Sequence, residues 1–176
     1  KVDEAIVIHP PKLETIRLQI VGDTELITHR WSEKARREML EKQMGKAKKP
    51  KEPKDPEADY QAAMYRLDDG TAGFPAGGFK SAIVGGCRAT DGLPMTKAKI
   101  AFRVVGERNK FGEELVRITG EPYMREDMVR LETGVPDIRF RPGFPEWSAT
   151  LTVVFNAGII SAKQLINLVN LAGFGG

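Results

Sequence analysis

The apolar positions of this chain follow two kinds of repeat. From Glu14 to Val21, Ile16, Leu18 and Ile20 alternate with Thr15, Arg17 and Gln19, the period of a half-buried strand, and Gly22-Asp23 ends it. Alternation returns in Lys99–Val105, with Ile100, Phe102 and Val104 on one side, and in Ala149–Phe155, with Ala149, Leu151, Val153 and Phe155. These predict three core strands. Helical spacing marks the remaining elements. Ser32 suits the cap of a helix reaching about Met44, whose few apolar positions, Ala35, Met39 and Leu40, fit a surface helix. Asp55-Pro56 starts a second helix with Tyr60, Ala63, Met64 and Leu67 at i, i+3, i+4 and i+7, followed by an Asp69-Gly70 turn. A third follows Gly73-Phe74-Pro75 and turns Phe79, Ala82, Ile83 and Cys87 inward, with Gly85-Gly86 permitting close packing on a sheet. The last opens with a Ser161/Gln164 capping box and an Ile160/Leu165 staple. It carries Leu165, Ile166, Leu168, Val169 and Ala172 as a stripe and stops at Gly173. Between the second and third core strands, 106–147 is punctuated by Gly112, Gly120, Gly134 and Pro142-Gly143. It holds strand-like pieces at 115–119, 128–131 and 138–140 and reads as an inserted hairpin arm.

The 176 residues, 41% apolar and 29% charged, suit one domain with insertions and exclude a globally disordered chain. No apolar run approaches the ~20 residues of a membrane span, so no membrane partner is expected. Cys87 is the one cysteine, which removes any internal disulfide, and a reducing cytoplasm is the natural expectation. His9, His29 and Cys87 are too few and too scattered for a closed zinc site. Nucleotide-phosphate and serine-nucleophile motifs are absent, so no cofactor, metal or catalytic residue is expected.

Twenty-seven Lys+Arg against 24 Asp+Glu leave only +3, but the cations cluster. Lys46, Lys48, Lys49, Lys51 and Lys54 lie among Pro50, Pro53 and Pro56, a mobile basic loop that is either a solvated linker or a phosphate contact. Gly77 and Gly78 leave the third helix's first amides uncovered beside Lys80, either as an anion site or as a tight turn. In the arm, Arg139 and Arg141 project opposite to Ile138 and Phe140, near Arg117, Arg125 and Arg130, with Tyr123, Phe144 and Trp147 at the ends. That pattern fits a surface tracking a single-stranded backbone, or a solvent face paired with Glu121, Glu126, Asp127 and Glu132.

The order strand, helix, strand, arm, strand, helix is that of a ferredoxin-like or RRM-like βαββαβ core of the α+β class, ending where a final strand is expected. One domain, 1–176, would then carry a basic helix-and-loop insertion at 28–72 and a thumb-like β arm at 106–147. Three segments carry a family resemblance: Gly22-Asp23-Thr24-Glu25-Leu26-Ile27 after the first strand, Phe74-Pro75-Ala76-Gly77-Gly78-Phe79-Lys80-Ser81-Ala82 leading into a helix, and the last helix with Gly173-Phe174-Gly175-Gly176. In this order the chain resembles the RAMP superfamily, the repeat-associated backbone subunits of CRISPR effector complexes, and His29–Gln43 is similar to prophage proteins. The resemblance implies sequence-independent binding of single-stranded RNA or DNA by copies that assemble as a filament. It implies that Phe79, Lys80 and the Gly77-Gly78 amides hold phosphates and that the Gly173–Gly176 loop approaches the same strand. The candidate nucleic-acid contacts are thus Arg30, Trp31, Lys46, Lys48, Lys49, Gly77, Gly78, Phe79, Lys80, Arg88, Arg125, Arg130, Arg139 and Arg141. Two alternatives stand beside this reading. One is a RAMP-type endoribonuclease, for which Asp23 is the nearest acidic residue; the other is a phage structural protein using the arm and an Ala5–Ile8 strand for subunit contacts.

Overall fold

The computed structural model describes residues 10–46, 53–130 and 134–174. The Ala5–Ile8 strand, Lys48, Lys49, Lys51, Glu132 and the Gly175-Gly176 end lie outside them. The fold is α+β with antiparallel strand pairing, and its contacts divide it into two compact units.

The first unit comprises Lys1–Leu18, Ala76–Gly106 and Leu151–Gly176. Strand β9 (Ser148–Asn156) supplies its centre. Leu151, Val153 and Phe155 point inward as their alternation predicts, and each is at most 2% exposed. Burying an aliphatic or aromatic side chain of this size contributes ~1.5–3 kcal/mol. β9 pairs with β1 (Leu13–Val21) and, antiparallel, with β4 (Phe102–Val105), where Phe102 faces Phe155 and Val104 faces Val153. Helices α3 (Ala76–Gly86) and α5 (Ala162–Ala172) pack on one another, and α3 also packs on β4. The Ser161/Gln164 capping box is formed in both directions.

Gly86 sets the spacing of the two helices. A Cβ there would stand 3.0 Å from the Leu168 carbonyl and 3.3 Å from the Ala172 nitrogen. The close approach foreseen for Gly85-Gly86 is therefore to helix α5 and involves Gly86 alone, since Gly85 faces open space. A second expectation also needs correcting. The strand predicted from Lys99 begins only at Phe102, because Met95–Ala101 forms helix α4 with Pro94 at its cap. Ala98 and Ala101, three apart, are buried, and Ile100 is 74% exposed. Pro94 pre-sets the dihedral of a helix start, and alternation over so few residues does not exclude a helix.

The second unit comprises Gln19–Pro75 and Glu107–Thr150, and so gathers most of the two stretches expected as insertions. Here β6 (Glu114–Thr119) pairs antiparallel with β3 (Gly73–Pro75), β5 (Glu107–Arg108) and the start of β9. A three-stranded sheet runs β2 (Leu26–Ile27), β8 (Pro136–Phe144), β7 (Tyr123–Arg130). The arm is thus narrower than 106–147: β6 pairs with β3, β5 and β9, and the hairpin is β7 with β8. Helix α1 (Glu33–Gln43) is capped by Ser32 and buries no residue. Helix α2 (Pro56–Ala62) is capped by Asp55 and ends earlier than its stripe predicts. Tyr60, Ala63, Met64 and Leu67 are nonetheless all buried, the last three beyond the helix, where the Leu67 amide donates to the Thr71 carbonyl across the turn containing Gly70 (φ 85°).

The turn after β1 is locked by Trp147. The Gly22 amide donates to the Trp147 carbonyl at 2.9 Å, and the indole N–H donates to the Thr24 carbonyl at 2.9 Å. A Cβ on Gly22 would fall on the indole ring itself. We expect Gly22→Ala to lower unfolding stability in urea by roughly 1–3 kcal/mol, as overpacked sites do. Gly77→Ala, whose Cβ meets nothing, should be neutral or stabilising by up to ~1 kcal/mol.

Candidate nucleic-acid interface

Arg139 and Arg141 project from one face of the hairpin, as their alternation predicts, and Arg125 joins them there, while Arg130 lies on the opposite face. Opposite residues in the β7–β8 register place Arg125 beside Arg141 and Asp127 beside Arg139. This face is half-buried and its charges are matched. Asp127 accepts from Arg125 Nη2 at 3.0 Å and from Arg141 Nε at 3.0 Å, and Glu25 pairs with Arg125 Nη1. Asp137 pairs with Lys54 at 2.6 Å and with Arg139 at 3.5 Å. Arg125 foremost, with Arg141, holds the Asp127 carboxyl below the usual carboxylate range, and Asp127 in turn raises the Arg125 guanidinium. Arg117, on β6, is likewise shared between Asp69 and Glu107, and chiefly through it the exposed Asp69 carboxyl is pulled down to about 2.

The flanking aromatics are mostly committed as well. Phe144 is fully buried and Trp147 packs over Gly22, while Tyr123 is about half exposed. Arg30 donates from Nε to Glu113 Oε1 at 2.8 Å, and its guanidinium lies 4.8 Å from the Phe111 ring centroid. Glu113 is held by Asn109, whose amide donates to Glu113 Oε2 at 2.9 Å. Trp31 is half-exposed with Arg36 over its ring at 5.6 Å, and Lys46 is exposed beyond α1. Arg130 is exposed near the end of β7.

A different set of cations converges in the first unit. α3, the 3-10 turn Cys87–Ala89, α4 and the end of α5 enclose a cleft of about 630 Å³. Lys80, Arg88 and Lys99 line it with Met95, Leu171 and Phe174, and among the described residues neither Asp nor Glu does. None of the three cations has an ion pair among the described residues. Phe174 is 91% exposed at the rim. Lys80 and Arg88 were expected as contacts; Lys99 was missed because its segment reads as a strand. Its signal was Pro94 followed by seven residues with Ala98 and Ala101 in helical register. Gly77 is exposed at the start of α3 but does not line the cleft, and neither does Gly78. Phe79 is buried in the core, 8% exposed.

Asp23 is exposed in the turn after β1. Among the described residues no group of three His, Cys, Asp or Glu side chains could hold a metal ion, and no helix is long and apolar enough to cross a membrane. No protein family, curated protein or solved structure matches the chain.

His29 gives the arm a pH dependence. Arg139 Nη1 lies 3.1 Å from His29 Nε2, and because an arginine only donates, this contact requires the neutral imidazole. Burial first, then the charges of Arg139 and Arg141, lowers its pKa below 6.5. The unfolded chain therefore takes up a proton at about pH 6.5 that the folded chain resists, so stability falls as pH drops through 6.5 toward the lowered folded value. The urea midpoint should decrease between pH 7.5 and 5.5, and His29→Gln should flatten that slope.

Proposed function

We propose that this protein binds single-stranded RNA or DNA without regard to sequence, that it has no catalytic role, and that copies of it assemble along the strand. The observation that carries the reading is the cleft of the first unit. Three cations, in a lining that holds no Asp or Glu among the described residues, meet apolar side chains and an exposed phenyl ring. A phosphate-bearing strand needs those two elements, positive charge for its backbone and a flat apolar surface for its bases. Uncompensated cations are also the ones free to release counterions on binding, whereas Arg125, Arg139 and Arg141 of the arm already have carboxylate partners.

The element order supports the finer fold and the RAMP resemblance. Within the first unit, β1, α3, β4, β9 and α5 come in this order, with α4 added between α3 and β4, and β9 lies between β1 and β4. That is the arrangement of three of the four strands and both helices of a ferredoxin-like or RRM-like sheet. A cytoplasmic location, in a bacterium or a phage-infected host, belongs to the same proposal.

The test is fluorescence anisotropy with labelled oligo-dT and oligo-U of about 20 nucleotides. Binding at 50 mM salt should weaken steeply toward 200 mM. Lys80→Glu with Arg88→Glu and Lys99→Glu should cost at least tenfold in affinity. If all three cations contact phosphates, the log–log salt slope should shrink by about 2, near 0.7 for each lost contact. Lys163→Glu, a single charge reversal outside the cleft, should have less than a threefold effect, and Lys80→Glu alone, of equal charge change, a larger one. No binding at low salt, or full binding by the triple variant, overturns the assignment.

A further inference from the structure

The β7–β8 hairpin is inverted relative to a ribbon lying on a core. Its charged face, with Arg125, Asp127, Asp137, Arg139 and Arg141, is the half-buried one, and α2, His29, Glu25 and Lys54 lie against this part of the unit. Its other face is largely apolar and open around Met128. The register places Met128 opposite Ile138 and Glu126 opposite Phe140, with Met124 and Arg130 on the same face of β7. Met128 is 73% exposed, and Met124 and Ile138 are each 44% exposed. Exposed apolar faces rimmed by charge mark interaction surfaces, and here three side chains of one face, Met124, Met128 and Ile138, are exposed together, while Phe140 is half-buried and Pro142 buried.

We propose that this face docks on the same face of a second copy of the chain, across a twofold axis through Met128. Charge complementarity selects that occupant. Among the described residues Glu126 and Arg130 have no ion pair. They lie two positions either side of Met128 on one face of one strand. Antiparallel packing about Met128 sets Glu126 of each chain against Arg130 of the other, so the pattern is its own complement. Met128, Ile138 and Phe140 then form a shared apolar centre. A patch two strands wide and about 20 Å long is smaller than a standard stable interface, so the pair should form in the range of tens to hundreds of micromolar. This pairing does not depend on nucleic acid, and it is a closed contact distinct from any head-to-tail contact along a strand.

The test is sedimentation equilibrium of the nucleic-acid-free full chain from 10 µM to 1 mM. The mass should rise from one chain toward two. Met128→Glu and Ile138→Lys, both at exposed positions, should each weaken dimerisation at least tenfold with unchanged circular dichroism and melting temperature. Glu126→Arg alone and Arg130→Glu alone set like charges together and should weaken it, while the double swap restores it. A chain that stays monomeric at 1 mM, a dimer indifferent to Met128→Glu, or a double swap that fails to restore pairing overturns the proposal. So does protection of Met124 and Met128 from oxidation only when an oligonucleotide is added, which would give the face to the strand. Because the strand-binding test and this one read different units of the chain, either can fail alone.

Discussion

The arrangement of the second unit depends on one carboxylate, Asp127, standing between two guanidinium groups. Two arginines on adjacent strands repel, and partly covering them without an anion is unfavourable. Asp127 resolves this by accepting from Arg125 and Arg141 together, each at 3.0 Å. Glu25 adds a second anion to Arg125 and arrives from a turn on the far side of the sequence. That turn is in place because Trp147 closes over Gly22 and donates to Thr24. Gly143 is required for the same reason: a Cβ there would fall on Glu25 Oε1 and the Arg125 side chain. Three separated features, Gly22, Gly143 and Trp147, therefore serve one electrostatic arrangement.

That arrangement also separates two classes of cation. Arg125, Arg139 and Arg141 are committed to intramolecular pairing, where charge, hydrogen bonding and partial burial fix their geometry. Lys80, Arg88 and Lys99 have no such partners among the described residues, and their charge is available to a ligand. A net charge of +3 conceals this, because it sums neutralised and unneutralised groups alike. What distinguishes a binding surface is where the carboxylates are missing.

Local chemistry was legible in the residues themselves. The Ser161 capping box, the Ser32 and Asp55 caps and the inward face of β9 each depend on neighbours within a few positions, and each formed where the pattern placed it. The alternation of Arg139 and Arg141 against Ile138 and Phe140 likewise gave the two faces of the hairpin correctly. It could not give which face is covered, because the deciding contacts join residues about a hundred apart, Glu25 with Arg125 and His29 with Arg139. The cleft escaped for a related reason. Its walls come from α3, α4 and α5, and α4 was hidden inside a run whose alternation is shared by a short helix with two buried alanines.

The inverted hairpin then follows from energetics rather than from accident. A two-stranded ribbon on its own is marginal in water and normally gains its stability by laying an apolar face on a core. This one is held by its ion pairs and by α2 against β8 instead, which leaves Met128 and Ile138 in solvent at a cost of roughly 25 cal/mol for each Å² of apolar surface. A ribbon so anchored can present its apolar side without unfolding, because covering that side is not what holds it in place. Removing the surface from water through a partner recovers the hydration cost with little new ordering of backbone, since the ion pairs have already ordered it. Rigid charged pairing on one side is therefore the condition that makes an apolar docking face on the other side affordable.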